Sequence, residues 1–216
     1  MQTSSGWKVS EMRAGARELH HLDLPAERRI TLMIPDGPAI VLGSSQSASD
    51  VDTDFCASAG IDVVRRRSGG GAVYVHPTDV VWADIVIPSG DPLWSHDVGE
   101  AMLWVGELWC AALARAGMDA LSIHRGRLMA NDWSKALCFA GAGTGEIFRG
   151  EAKVVGISQR RTRHFARFQC SAYRRWDAAT MAAAIPMVGH DVDRLDSLVV
   201  TVPALFDVNQ LVDALP

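Results

Sequence analysis

Residues 97–118, DVGEAMLWVGELWCAALARAGM, carry the clearest regular pattern in the chain and do most to limit its architecture. Apolar side chains fall at Val98, Ala101, Met102, Val105, Leu108, Trp109, Ala112, Leu113 and Ala116. This is the i, i+3, i+4, i+7 spacing of one buried helical face, and the tryptophans on it read as core. Around this helix the sequence reads as short strands: RRITLMIP and AIVLG joined by a DGP turn, then IDVVRR, GAVYVH and VVWADIVIP. After a weaker stretch over 124–152, rich in Gly, Arg and Ala, come two more, KVVGISQRR and RFQCSAYR. Shorter helices are predicted over EMRAGARELHHL, with Met12, Ala16 and Leu19 on one face, and over SASDVDTDFCASAG, with Ser47 or Ser49 as cap and Gly60 as stop. Two more are predicted over DAATMAAAIP and VPALFDVNQLVDALP. Strands in antiparallel runs with helices between and after them imply an α+β fold, a mostly antiparallel or mixed sheet flanked by helices. No Pro/Ser linker divides residues 1–216, so one domain is expected.

Hydrophobic residues make up 48% of the 216, enough to build a core without disulfide staples. A net charge of -4 gives no general attraction to nucleic acid or membrane, so any basic function must be local. Cys56, Cys110, Cys138 and Cys170 form neither a CxxC pair nor a zinc or disulfide spacing, and they read as reduced thiols of a cytoplasmic protein. The N-terminal MQTSSGWKVSEMRAG lacks the apolar core of a signal peptide. No apolar run approaches the roughly 20 residues that span a bilayer.

Positive charge is concentrated in RRRSGGGAVYVH, residues 65–76. Glycines at 69, 70 and 71 let backbone N–H groups approach a ligand with no Cβ in the way, and successive N–H groups can cradle an anion. Arg65, Arg66 and Arg67 add charge beside them. The spacing fits neither GxxxxGK[ST] nor GxGxxG. A hairpin whose glycines serve only turn geometry remains the alternative. A second constellation is GEAKVVGISQ, residues 150–159, where Lys153 stands on a strand ahead of Gly156, Ser158 and Gln159. Such a lysine can hold a phosphate or carboxylate or polarise an acyl carbonyl; otherwise it is an ordinary edge lysine.

RRRSGGGAVYVH followed by KVVGISQRR resembles the lipoate-protein ligase A family over about residues 10–185. That family shares its class II synthetase-related catalytic domain with biotin protein ligases and lipoyl/octanoyl transferases. The resemblance implies that Arg66, Ser68, Gly69, Gly70, Gly71, Ala72 and Val73 wrap an acyl chain and, in a ligase, the acyl-adenylate phosphate. It implies that Lys153 meets the reacting carbonyl or phosphate, with Gly156, Ser158 and Gln159 beside it. AND at 130–132 resembles the ligases' G-R-N-D segment, so Asn131 and Asp132 would hold the adenylate, with Asp132 on Mg²⁺; the same pair also reads as a plain turn. Biotin fits the lysine motif less well than lipoate or octanoate.

Cys138, Phe139 and Glu146 resemble the C-F-x-x-P-S-x-Y-E segment of the family's cysteine-dependent transferases, although Ala142, Gly143 and Gly145 replace its Pro-Ser pair and tyrosine. Cys138 is then a nucleophile, or else a small buried apolar cysteine. Cys170 and Ser171 stand where the family has His-Gly, and His76 reads as a turn residue. With 31 residues after Ile185, the ligases' accessory C-terminal domain is not expected. The resemblance implies attachment of a lipoyl or octanoyl group to a carrier lysine. The leading route is an acyl-adenylate with ATP and Mg²⁺; the alternatives are an ATP-independent Cys138 thioester and an acyl-binding module without catalysis. Implied partners are lipoyl domains of 2-oxoacid dehydrogenases or the glycine cleavage H protein, with acyl carrier protein as an acyl source. Val73, Val155 and Trp82 are expected to line the acyl tunnel.

Overall fold

The computed structural model describes residue 3 and residues 5–216. Met1, Gln2 and Ser4, part of the stretch read against a signal peptide, lie outside the described residues. The strands are β1 (Lys8–Ala14), β2 (Arg29–Pro35), β3 (Ala39–Leu42), β4 (Asp62–Arg65), β5 (Val73–Val75), β6 (Val80–Pro88), β7 (Leu121–Ile123), β8 (Ile147–Arg149), β9 (Ala152–Arg161) and β10 (Phe165–Tyr173). The helices are α1 (Ala16–His21), α2 (Thr53–Ser58), α3 (Val98–Arg115), α4 (Ala178–Ala184), α5 (Val192–Ser197) and α6 (Val208–Asp213).

The fold is α+β. A 7-stranded mixed sheet runs in the order β1-β2-β6-β10-β9-β8-β7, and a 3-stranded sheet runs β4-β3-β5. In the large sheet only β1 and β2 pair in parallel; the other neighbours are antiparallel. The DGP turn does connect two strands, but β2 and β3 belong to different sheets. The turn therefore carries the chain from one layer to the next.

Asp97 caps α3 through a side-chain bond from the Glu100 amide, as a short acceptor before an apolar stripe should. The face Ala101, Met102, Val105, Leu108, Trp109, Ala112 and Leu113 is buried against Val81, Ala83, Ile85, Phe168, Cys170 and Ala172 of the large sheet. Each large apolar side chain sheltered this way contributes about 1.5–3 kcal/mol. Val98, assigned to the stripe, is exposed at the first turn. The opposite sheet face, with Met33, Val80, Trp82, Val86 and Tyr173, is covered by the small sheet through Val41, Val73 and Val75. Strand alternation thus gives the large sheet a helix-packed face and a face turned to the glycine loop.

Several local expectations are corrected. The helix predicted from Glu11 begins only at Ala16; Lys8–Ala14 is instead an edge strand, and Met12 is 37% exposed. Residues 47–60 split into a 3-10 turn (Ala48–Asp50) and α2, which Asp52 caps; Gly60 does stop it, at φ +66. In the C-terminal segment only Val208–Asp213 is helical, and α5 was not anticipated. Among the described residues no helix is long and apolar enough to cross a membrane.

Candidate active site

The glycine loop lies between β4 and β5 and is shaped from within. Arg66 is buried, and its Nη2 donates to the carbonyls of Gly69 (2.8 Å) and Gly71 (2.9 Å). Its guanidinium therefore folds the turn rather than projecting from it. Gly70 has φ +97, in the left-handed region. At Gly71 an added Cβ would stand 2.6 Å from the Leu137 nitrogen and 2.8 Å from the Cys138 nitrogen. Only glycine permits that approach. Gly69 is open, with nothing within 4 Å of a built Cβ. Among the described residues, the amides of Gly69, Gly70 and Gly71 have no hydrogen-bond partner. Unpaired amides in such a turn have the geometry that can take up an anion.

The loop is laced to residues 136–138. The Ala72 amide donates to the Ala136 carbonyl (2.7 Å), and the Cys138 amide donates to the Ala72 carbonyl (3.0 Å). Gln46, buried and not anticipated from sequence, accepts from the Gly43 amide (2.9 Å) and donates to the Ala136 carbonyl (3.2 Å).

Lys153 reaches this seam from β9. It is 1% exposed, so its charge needs partners. Its Nζ donates to the Cys138 carbonyl (2.7 Å) and pairs with Glu146 Oε2 (2.7 Å). The rings of Phe139 and Phe148 lie 5.4 and 5.8 Å from Nζ. Glu146 is in turn held by the amides of Gly143 (2.6 Å) and Ile157 (3.3 Å). An ammonium has three N–H bonds. Two are used here, which leaves one for a ligand.

Two cavities meet at this point. The outer cleft, about 790 Å³, is lined by Gly69, Gly70, Gly71, Lys135, Cys138, Glu146 and Lys153 among others. The inner one, about 40 Å³, is lined by His20, Arg66, Val73, Val75, Trp82, Gly156, Gln169, Cys170 and Ser171. Cys138, Ile157 and Ser158 belong to both linings. Cys138 is partly exposed and all four thiols are free.

The remaining expected positions are distributed unevenly. Gly156 lies under the Phe139 ring, where a Cβ would come within 3.2 Å. Val73 and Trp82 line the inner cavity, whereas Val155 packs on the α3 side and lines neither cavity. Ser68 and Gln159 line neither; the Ser68 Oγ and both Gln159 amide atoms are sheltered without a partner. Asn131 uses its side chain within its own turn: Nδ2 donates to the Ala140 carbonyl (2.5 Å), and Oδ1 accepts from the Trp133 amide (3.0 Å). Asp132 is exposed, and neither residue lines the cleft, although Ala130 and Ser134 beside them do. Cys170 is fully buried, and burial pushes its thiol well above the usual range. His76 sits in the β5–β6 turn with Thr78 and Asp79. Sequence reasoning did not find Lys135 or His20; neither stands in a motif that marks it.

A glycine cradle thus stands over a buried lysine, with a thiol where the outer cleft meets an inner cavity walled by both polar and apolar side chains. The fold is shared with a bi-partite lipoate protein ligase from Thermoplasma acidophilum (TM-score 0.70, 16% identity, 96% of this chain and 79% of that one). It is also shared with a lipoate-protein ligase A bound with ATP (TM-score 0.70, 18% identity, 99% and 82%). The description "Lipoyl protein ligase A/B catalytic domain" matches residues 15–214, and the chain belongs to that family. A curated relative, octanoyltransferase LipM of Clostridioides difficile, is 27% identical over 121 residues, 56% of this chain and 44% of that protein. The chain thus matches less than half the length of this relative.

Proposed function

We propose that the chain moves a lipoyl or octanoyl group onto a lysine of a carrier domain, with Cys138 as the covalent relay. The observation that carries this reading is the position of Cys138: partly exposed where the two cavities meet, with its carbonyl on Lys153 and its amide on the glycine loop. The Cys138 thiolate attacks the carbonyl of a thioester donor, and the donor's thiol leaves with the proton taken from Cys138. The carrier lysine's amine then attacks the enzyme thioester; the acyl C–S bond breaks as the amide forms, and the proton lost by the nitrogen restores the Cys138 thiol. The free N–H of Lys153 and the amides of Gly69–Gly71 face the oxyanion that develops in each step. Similarity to a protein named octanoyltransferase supports the same route.

A second reading, the ATP-dependent ligase, is favoured by the size of the outer cleft and by Lys135 on its wall. There the glycine amides would take the adenylate phosphate. Mg²⁺ would rest mainly on the nucleotide phosphates, and Asp132, which lies outside the cleft lining, would reach it only if its loop moved inward. The Thermoplasma ligase was solved in a study that included its E2 lipoyl domain. A lipoyl domain is accordingly the carrier proposed here, with the glycine cleavage H protein as another and acyl carrier protein as donor. The free thiols fit a reducing cytoplasm.

Intact-mass spectrometry with an apo lipoyl domain separates the routes. One reaction holds octanoyl-acyl carrier protein without ATP; the other holds octanoate, ATP and Mg²⁺. The relay predicts an enzyme thioester and a modified carrier in the first, both lost in Cys138→Ser. Modification only in the second supports the ligase. Modification in neither removes both and leaves acyl binding without catalysis.

A further inference from the structure

The inner cavity is not a plain hydrocarbon slot. One wall carries His20, whose Nε2 is sheltered from solvent and has no hydrogen-bond partner. The ring is held on two sides. It packs at a tilt against Trp82 with 4.3 Å between centroids, and its Nδ1 lies 3.2 Å from the Gln169 amide nitrogen. Trp82 is itself fixed by donation from Nε1 to Asp84 Oδ1 (2.8 Å). Burial and the nearby charges of Arg66, Arg167 and His21 keep the imidazole neutral. A neutral imidazole has one N–H. Because Gln169 donates to Nδ1, that N–H is at Nε2, so the wall presents a donor. Arg66, in the same lining, has a sheltered Nε–H that is also without a partner. Two unpaired donors beside one small cavity match a ligand that brings an acceptor.

We infer that the inner cavity selects acyl chains whose far end carries a hydrogen-bond acceptor, an oxygen or a dithiolane sulfur, and that His20 is the specificity-determining donor. This deepens the acyl-transfer reading and rests on it. A plain alkyl end would displace water from His20 and Arg66 and leave both donors unpaired, and a site built to bond a substrate group discriminates against the analogue that lacks it. The cavity is small beside the outer cleft, about 40 against about 790 Å³, and on this inference it takes only the terminal group. It therefore reads the end of the acyl group, while the carbonyl stays near Cys138 and Lys153.

The test compares octanoyl, 7-oxo-octanoyl and lipoyl donors, each supplied as the acyl-carrier-protein thioester and as free acid with ATP and Mg²⁺, on an apo lipoyl domain. The 7-oxo chain matches octanoyl in carbon count and adds only an acceptor. The expected result is kcat/KM for 7-oxo-octanoyl about tenfold or more above octanoyl, with lipoyl also preferred. In His20→Phe, which keeps an aromatic ring on Trp82, the ratio should collapse toward one. The ratio is taken within each protein, so a lower folded fraction in the variant cancels. Equal use of octanoyl and 7-oxo-octanoyl by the native enzyme, or a ratio unchanged in His20→Phe, overturns the inference while acyl transfer stands. Transfer of none of the three by either route overturns the acyl-transfer reading, and this inference with it.

Discussion

Lowering the pH from 7 to 5 should destabilise this protein through His20, by an amount that can be worked out. Burial, followed by the charges of Arg66, Arg167 and His21, lowers its pKa from 6.5 to about 3. Above pH 6.5 the imidazole is neutral in folded and unfolded chains alike, and the folded arrangement keeps its full stability. Between 6.5 and 3 the unfolded chain takes up a proton that the folded one refuses, so stability falls as pH falls. At pH 5 the loss from this group is about 2 kcal/mol, and nearly all of it appears on going from pH 7 to 5. The figure is governed by the unfolded value, since a folded pKa anywhere below 4 gives much the same loss at pH 5. Urea unfolding followed by tryptophan fluorescence at the two pH values measures it, with His20→Phe as reference. Other titrating groups contribute equally to both proteins, so the native chain should lose about 2 kcal/mol more than the variant. Equal losses would mean that His20 is protonated as easily in the fold as outside it, and would refute its burial as a neutral group.

Two further perturbations bear on the site. Glu146→Gln leaves the buried Lys153 ammonium without its carboxylate, and should cost about 3 kcal/mol in urea midpoint analysis and reduce acyl transfer; a stability unchanged within error would contradict the ion pair. Gly43→Ala places a Cβ 1.8 Å from the Gly70 carbonyl oxygen. It should displace the glycine loop, costing about 1–3 kcal/mol in thermal or urea unfolding and weakening acyl binding, whereas Gly60→Ala, strained but far from the cleft, should leave acyl affinity intact.

Elements with strong periodicity were legible in the sequence. The α3 stripe keeps its period over many residues, the β-branched runs of β6 and β9 are long, and the paired motifs of the glycine loop and Lys153 marked the two sides of one cleft. Residues 11–14 were misread because an edge strand with most side chains in solvent shows no alternation, while Met12, Ala16 and Leu19 happen to fit a helical face. Asn131 was ambiguous because an adenylate contact and a turn use the same side-chain atoms, and only the geometry shows its amide engaged with Ala140. Val155, within the Lys153 motif, was expected to line the tunnel, yet strand alternation turns it toward α3. His20 left no trace at all: one of two adjacent histidines in a six-residue helix becomes notable only when Trp82 and Gln169, far along the chain, close around it.

The two faces of the large sheet have an evolutionary consequence. Trp82, Gln169 and Ser171 contribute to the inner cavity, while Ala83, Phe168 and Ala172, their immediate neighbours along the strands, belong to the core beneath α3. Apart from Cys170 and Ile157, which belong to both, drift in one set need not disturb the other, because adjacent side chains in a strand point to opposite sides. Under the acyl-transfer reading proposed above, such a chain can change which acyl tail it prefers by exchanging a few residues on one face, while its folded framework is inherited nearly unaltered on the other.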